Sequence, residues 1–326
     1  MKPKVFVTRR IPRAGMEKLE QECEFKLFPE DHPLSKEELI QGVEGCDALL
    51  CMLNDRIDKE VMDASSRLKV IANFAVGYDN IDLEEATRQN IMVTNTPDVL
   101  TEATADLAWA LLMAVSRRIV EADRFVRQGR FQGWGPMLLL GSELVGKTLG
   151  IIGFGRIGKA VARRARGFNM RILYFKRSPL SPVEEDELGV EYASLGEILD
   201  ESDFISLHLP LTPETRYLIG EKELKRLKKG AIIINTARGP VVDEAALVDA
   251  LQSGDIAGAG FDVYEHEPEL TPGLAELDNV VLAPHIGSAT EETRTKMALI
   301  AAGNILAVLK GEKPPHLVNR GVLFKP

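Results

Sequence analysis

The chain has 326 residues, 45% of them hydrophobic and 27% charged, with 40 basic and 49 acidic side chains and a formal net charge of −9. A single core stops growing near ~250–300 residues, so two globular domains are expected. No basic block offers itself to a phosphate backbone, which excludes nucleic acid as a partner, and no apolar run reaches the ~18 residues of a membrane span.

The opening "MKPKVFVTRRIP" lacks the apolar core of a secretion signal, and Cys23, Cys46 and Cys51 lack metal-ligand or redox spacing. A cytoplasmic protein with buried free thiols is the expectation. Short apolar, β-branched runs then predict strands at 4–8, 47–52, 69–76 and 91–96. Strands apolar on both faces and separated by helical patterns are what parallel α/β sheets require.

From Thr101 the pattern "TEATADLAWALLMAVSRRIVEADRFVRQG" predicts one long helix, with Thr101 as N-cap and Glu102 set favourably against the dipole. At 1.5 Å per residue it would span about 40 Å. The loop after it, "FQGWGPMLLLGSEL" at 131–144, has an apolar tip. Such a loop is costly unless covered, so residues 101–145 are expected to carry a homodimer contact; folding back onto its own subunit is the plainer alternative.

A second strand series is predicted at 148–153, 171–175, 204–209, 231–237, 257–263 and 280–285. A long amphipathic helix at 289–311 follows and is expected to return to the first domain. That makes the first domain discontinuous, 1–98 plus 288–326, with 99–287 as the second.

Within the second series, "TLGIIGFGRIGKAVARRA" places Gly153, Gly155 and Gly158 directly after a strand and at the start of a helix. Gly153 permits a tight turn, Gly155 lets the backbone approach a pyrophosphate, and Gly158 allows close helix–strand packing. A Gly-rich turn without a ligand is the bland alternative. The next strand, "RILYF", ends in Lys176, Arg177 and Ser178, where an acidic residue would commonly receive the ribose 2′-OH of NAD. Two cations and a hydroxyl suit a 2′-phosphate instead, so NADP(H) is the preferred cofactor and NAD(H) the alternative; a solvated charged loop is the plain reading.

Three stretches at later strand ends carry chemistry: "NTARGPVVDEAAL" with Arg238, "GFDVYEHEP" with Glu267 and "APHIGSAT" with His285. Reduction of a 2-oxo acid by hydride transfer leaves an alkoxide that must gain a proton, which a histidine can supply. A carboxylate on the other ring nitrogen fixes the tautomer, and an arginine can pair with the substrate carboxylate and polarise the carbonyl. A structural Arg238–Glu267 ion pair is the competing explanation.

Together, "GFGRIGKAVARRARGF", "SDFISLHLPLTPET", "NTARGPVVDEAALVDAL", "GAGFDVYEHEP", "NVVLAPHIGSATEETR" and, earlier, "NFAVGYDNIDLEEA" resemble the D-2-hydroxyacid dehydrogenase family over nearly the whole chain, nearest its glyoxylate/hydroxypyruvate and 2-ketogluconate reductases. The resemblance implies two Rossmann-like/flavodoxin-like α/β domains with parallel sheets and an active site in the cleft between them. It implies that 99–287 binds the dinucleotide, and that the other domain binds substrate. The implied reaction is NAD(P)H-dependent reduction of glyoxylate, hydroxypyruvate or 2-ketogluconate to the D-2-hydroxy acid.

By the same resemblance Arg238 orients substrate, Glu267 rather than Glu265 is the partner carboxylate, and His285 is the proton donor. Leu53, Val76 and Gly77 match the carboxylate-binding loops. Gly153, Gly155, Arg156, Ile157, Gly158, Lys176, Arg177, Ser178, Thr236, Ala237, Arg238, Asp262, His285 and Gly287 match cofactor contacts. Trp134 is present, but Leu138 stands where several glyoxylate reductases carry a second tryptophan. A phosphoglycerate dehydrogenase-type enzyme is disfavoured because no regulatory domain follows, and a formate dehydrogenase because Glu267 replaces its glutamine. A non-catalytic dinucleotide-sensing scaffold is disfavoured by the near absence of tails.

Overall fold

The computed structural model describes residues 2–324. The chain divides into two compact units, Met1–Leu100 with Ser288–Pro326, and Thr101–Gly287. Met1, Lys325 and Pro326, which the expected domain ranges include, lie outside the described residues.

Among the described residues the first unit holds five strands, β1 (Lys4–Val7), β2 (Glu24–Leu27), β3 (Ala48–Cys51), β4 (Val70–Asn73) and β5 (Met92–Thr94), all parallel in the order β2-β1-β3-β4-β5. Alternate side chains explain why the runs read as continuously apolar. Val5, Val7, Leu50, Val70 and Ala72 pack with Met297, Ala298 and Ile305 of the helix Glu291–Leu309. Phe6, Leu49, Cys51, Ile71 and Val93 face the opposite way, against Leu39, Val61 and Met62. Both faces are covered, as parallel sheets demand. The C-terminal helix therefore packs on the first sheet, opening two residues later than its sequence pattern with Thr290 as N-cap.

The second unit carries seven strands: β6 (Thr148–Ile152), β7 (Arg171–Phe175), β8 (Glu191–Tyr192), β9 (Phe204–Leu207), β10 (Ile232–Asn235), β11 (Gly258–Phe261) and β12 (Val280–Leu282). Their order is β12-β11-β10-β9-β6-β7-β8, again parallel. The order reverses between β6 and β9, and the carboxyl ends at such a switch point are where α/β sheets bind ligands. Strands β2 and β8 have no counterpart in the sequence reading. Both are exposed or half-buried edge strands, so burial leaves no apolar run to mark them.

The single long helix from Thr101 is corrected to two, Thr101–Ser116 and Ile119–Arg127. Thr101 is the first helical residue rather than a cap. The break has a cause: Ser142 N–H donates to the Ser116 carbonyl at 2.8 Å, taking the acceptor that the next helical turn would use. Gly141 permits this approach, since a Cβ there would sit 2.3 Å from that oxygen. Arg118 then turns with φ 52 into the left-handed region, and its guanidinium pairs with Glu121. Among the described residues no helix is long and apolar enough to cross a membrane.

Candidate active site

At the end of β6, Gly153 turns with φ +96, and a Cβ there would meet the His208 carbonyl oxygen at 2.3 Å. Gly155 is the N-cap of the helix Arg156–Ala165, and no side chain caps that end. Nothing lies within 4 Å of where its Cβ would stand, whereas a Cβ on Gly158 would be 2.4 Å from the Gly153 carbonyl. The first-turn residues Arg156, Ile157 and Gly158 thus open a bare helix terminus beside open space, which suits an anion.

Two further buried polar atoms, His208 Nδ1 and Thr236 Oγ1, have no hydrogen-bond partner among the described residues. They follow β9 and β10, which pair with Leu207 opposite Asn235, so both leave the sheet at the same edge. Buried polar atoms left unpaired call for a ligand or an internal explanation. The open glycine cradle and these orphaned atoms fit a bound dinucleotide. His208 Nε2 shares a 2.8 Å hydrogen bond with Ser206 Oγ, and burial pushes the ring down to a pKa of about 3.

Beyond β7, Lys176 is half-buried while Arg177 and Ser178 are exposed. Their turn is pinned by Tyr174, whose buried phenol accepts the Leu180 N–H at 2.7 Å and donates to Glu185 at 2.6 Å. Burial, then Glu185, pushes that phenol up to about 12, which keeps the donor proton in place. The Tyr174 ring packs on Phe154 at 4.3 Å between centroids, tying this turn to the glycine loop. Glu214 is held below the usual carboxylate range chiefly by the Thr212 hydroxyl, with the charge of Arg177 contributing.

The remaining groups come from β10, β11 and β12. Asn235, fully buried, donates to the Arg238 carbonyl at 3.0 Å and accepts the Ala237 N–H at 3.0 Å, closing the turn that presents Arg238. Gly239 presses that turn onto the next loop, since a Cβ there would sit 1.9 Å from the Tyr264 carbonyl. Buried Glu244 accepts the Glu265 N–H at 2.6 Å and the Thr271 hydroxyl at 2.7 Å, and the Tyr264 hydroxyl donates to the Ala283 carbonyl at 2.8 Å.

These ties bring Glu267 to His285. Glu267 Oε2 lies 2.9 Å from His285 Nδ1, and Oε1 accepts the Tyr264 N–H at 3.0 Å. Both side chains are half-buried, at 31% and 25% exposure. His285 has φ 54, an uncommon conformation for a residue with a Cβ. Asp262, buried, secures the backbone just beyond it by accepting Ile286 N–H at 2.6 Å and Gly287 N–H at 2.7 Å. The Gly287 carbonyl accepts the Thr104 hydroxyl at 3.1 Å. Burial raises the Asp262 carboxyl, while its two N–H bonds and the charge of His285 oppose the rise.

All the expected cofactor residues and Arg238, Glu267 and His285 belong to the unit Thr101–Gly287. Leu53, Val76 and Gly77 lie in the other unit, in the loops after β3 and β4. Glu265 bonds the Tyr217 hydroxyl and lies 3.7 Å from Arg216. Sequence reasoning passed over Tyr174, Glu244, Asn73 and Asn80. The one available signal was a polar residue inside an apolar run, as with Asn73 in "KVIANFAV".

Residues 109–287 match the family described as D-isomer specific 2-hydroxyacid dehydrogenase, NAD binding domain. The chain is 56% identical to a glyoxylate reductase of Thermococcus kodakarensis, over 99% of this chain and 98% of that one. It is 55% identical to a glyoxylate reductase of Korarchaeum cryptofilum at the same coverages. Among solved structures, it resembles an NADPH-dependent glyoxylate/hydroxypyruvate reductase from Sinorhizobium meliloti in complex with NADP and malonate. That pair has a TM-score of 0.87 and 34% identity, covering 100% of this chain and 99% of that one.

Proposed function

Because the chain belongs to the D-isomer specific 2-hydroxyacid dehydrogenase family, we propose that it reduces a small 2-oxo acid to the D-2-hydroxy acid, with glyoxylate first and hydroxypyruvate or 2-ketogluconate as rivals. The observation that carries this reading is the 2.9 Å contact between Glu267 and His285 at the ends of neighbouring strands. The unit Thr101–Gly287 is the dinucleotide-binding domain, and the unit with Leu53, Val76 and Gly77 is the substrate domain.

Gly153, Gly155 and Gly158, with the turn at Lys176 to Ser178, would hold the dinucleotide, whose nicotinamide would supply the hydride. The chain supplies the rest. With Glu267 as acceptor, His285 carries a proton on Nδ1, which leaves Nε2 of the imidazolium to protonate the developing alkoxide. One C–H and one O–H bond form, the C=O π bond and the His285 Nε2–H bond break, the hydride donor is oxidised by two electrons, and His285 ends neutral. Arg238 pairs with the substrate carboxylate and polarises the carbonyl. The loops that carry Leu53, Val76 and Gly77 receive the carboxylate through their backbone groups.

NADP(H) is the preferred carrier on this reading, because the turn at Lys176, Arg177 and Ser178 offers cations and no carboxylate. The Sinorhizobium relative, described as NADPH-dependent and bound to NADP, supports it. The protein acts as a homodimer through residues 101–145, where Trp134 and Met137 stand 85% and 76% exposed.

Steady-state reduction of the three acids with NADPH and with NADH tests the proposal. Turnover of glyoxylate with a higher kcat/KM for NADPH is expected. Tight dinucleotide binding without turnover of any of the three would replace the enzyme with a dinucleotide-sensing protein.

A further inference from the structure

The loops that carry Leu53, Val76 and Gly77 hang from three asparagine side chains. Asn73, fully buried at the end of β4, donates from Nδ2 to the Gly77 carbonyl at 2.7 Å and to Asn80 Oδ1 at 3.0 Å. Asn80 Nδ2 donates to the Met52 carbonyl at 3.1 Å and the Asp55 carbonyl at 3.0 Å, and lies 3.3 Å from Asn73 Oδ1. Asn95 Nδ2 donates to the Val76 carbonyl at 2.8 Å. From below, buried Asp55 accepts the Met52 N–H at 2.7 Å and the Thr8 hydroxyl at 2.5 Å.

A trans peptide is planar, with its C=O and N–H on opposite sides. Holding the carbonyls of Met52, Val76 and Gly77 inward therefore turns the N–H groups of Leu53, Gly77 and Tyr78 outward. None of these three N–H groups donates to a backbone carbonyl among the described residues. Successive outward N–H groups make an anion-binding concavity. An amide is a costly thing to bury, and an apolar residue would fill the same space. Apart from the Cys51 thiol, which donates to Asn73 Oδ1 at 3.5 Å, the side-chain bonds of Asn73, Asn80 and Asn95 go to the backbone of these loops or to one another.

We propose that Asn73, Asn80 and Asn95 are positioning residues for the substrate carboxylate, setting the peptide planes of Leu53, Gly77 and Tyr78 as its receptor. The inference rests on the reading in which these loops take that carboxylate. Asn80→Ala and Asn95→Ala in the full-length protein test it, with glyoxylate reduction, inhibition by oxalate and NADPH affinity by fluorescence quenching as readouts. Each variant should raise the KM for glyoxylate and the inhibition constant of oxalate by about tenfold, the worth of one displaced donor to a charged group. kcat should stay within about threefold and NADPH affinity unchanged.

Simple loss of folded protein would instead lower apparent kcat at constant KM. Unchanged KM and oxalate inhibition in variants of an active enzyme would overturn the inference alone. A wild-type protein that reduces no 2-oxo acid would remove it together with the proposed function. Should Asn80→Ala fail to fold, Asn95→Ala decides, since Asn95 is half-buried and its backbone contact with Asn304 survives the change.

Discussion

Glu267 holds His285 from one side while the Tyr264 N–H holds Glu267 from the other, at 2.9 Å and 3.0 Å. The carboxylate is oriented before any substrate arrives, so its contribution is electrostatic as well as geometric. Glu267→Gln keeps an acceptor oxygen for the ring N–H but removes the charge, so kcat should fall by about tenfold or more while KM stays nearly unchanged. His285→Ala should lower kcat by about 10²–10⁴-fold. Wild-type kcat in the glutamine variant would show that Glu267 only places the ring.

Arg238 is held differently, by a turn that Asn235 closes and Gly239 presses against Tyr264. Its guanidinium also donates to the Ala237 carbonyl at 2.8 Å, which limits its rotamers. On the proposed reading Arg238 meets both the substrate carboxylate and the reacting carbonyl, so Arg238→Ala should raise the KM for glyoxylate and lower kcat. Arg238→Lys should recover only part of this, since a point charge cannot reproduce the planar fork. Equal activity of the lysine and wild-type proteins would reduce Arg238 to a charge.

The sequence made these three residues legible because each follows an apolar run and sits in a short, specific motif. The strands themselves were legible where burial on both faces left no polar residue inside them, as at Ala48–Cys51. What escaped depends on contacts distant in the chain. The break at Arg118 follows from Ser142 reaching Ser116, and no local pattern announces it. The backbone partners of Asn80 lie 25 and 28 residues away, so its role cannot be read from its neighbours.

Arg177 carries the cofactor prediction. It is exposed on a turn that Tyr174 pins, so it can reach a ligand without disturbing the sheet. Arg177→Ala should weaken NADPH binding by roughly tenfold, the scale of one charge-assisted contact, and leave NADH nearly unchanged. Calorimetry with 2′,5′-ADP against ADP isolates the phosphate. Equal losses for the two nucleotides would place the 2′-phosphate elsewhere.

His208 predicts a pH dependence of stability rather than of rate. Burial lowers its pKa from 6.5 to about 3, so the folded ring stays neutral where the unfolded one takes up a proton. Between those values the unfolded state binds more protons, and stability falls as pH drops. The contribution is fully present above 6.5 and amounts to a loss of about 2 kcal/mol at pH 5. Asp55, Glu244 and Asp262, all raised chiefly by burial, act in the opposite sense: the folded forms hold protons longer, so their contribution favours low pH. The His208 term must therefore be read as a difference between proteins. His208→Gln retains a partner for Ser206 and removes the titration. Denaturant unfolding from pH 7 to pH 5 should cost the variant less than wild type by about that amount. Parallel losses in the two proteins would mean that His208 finds its proton, or a water, in the folded state.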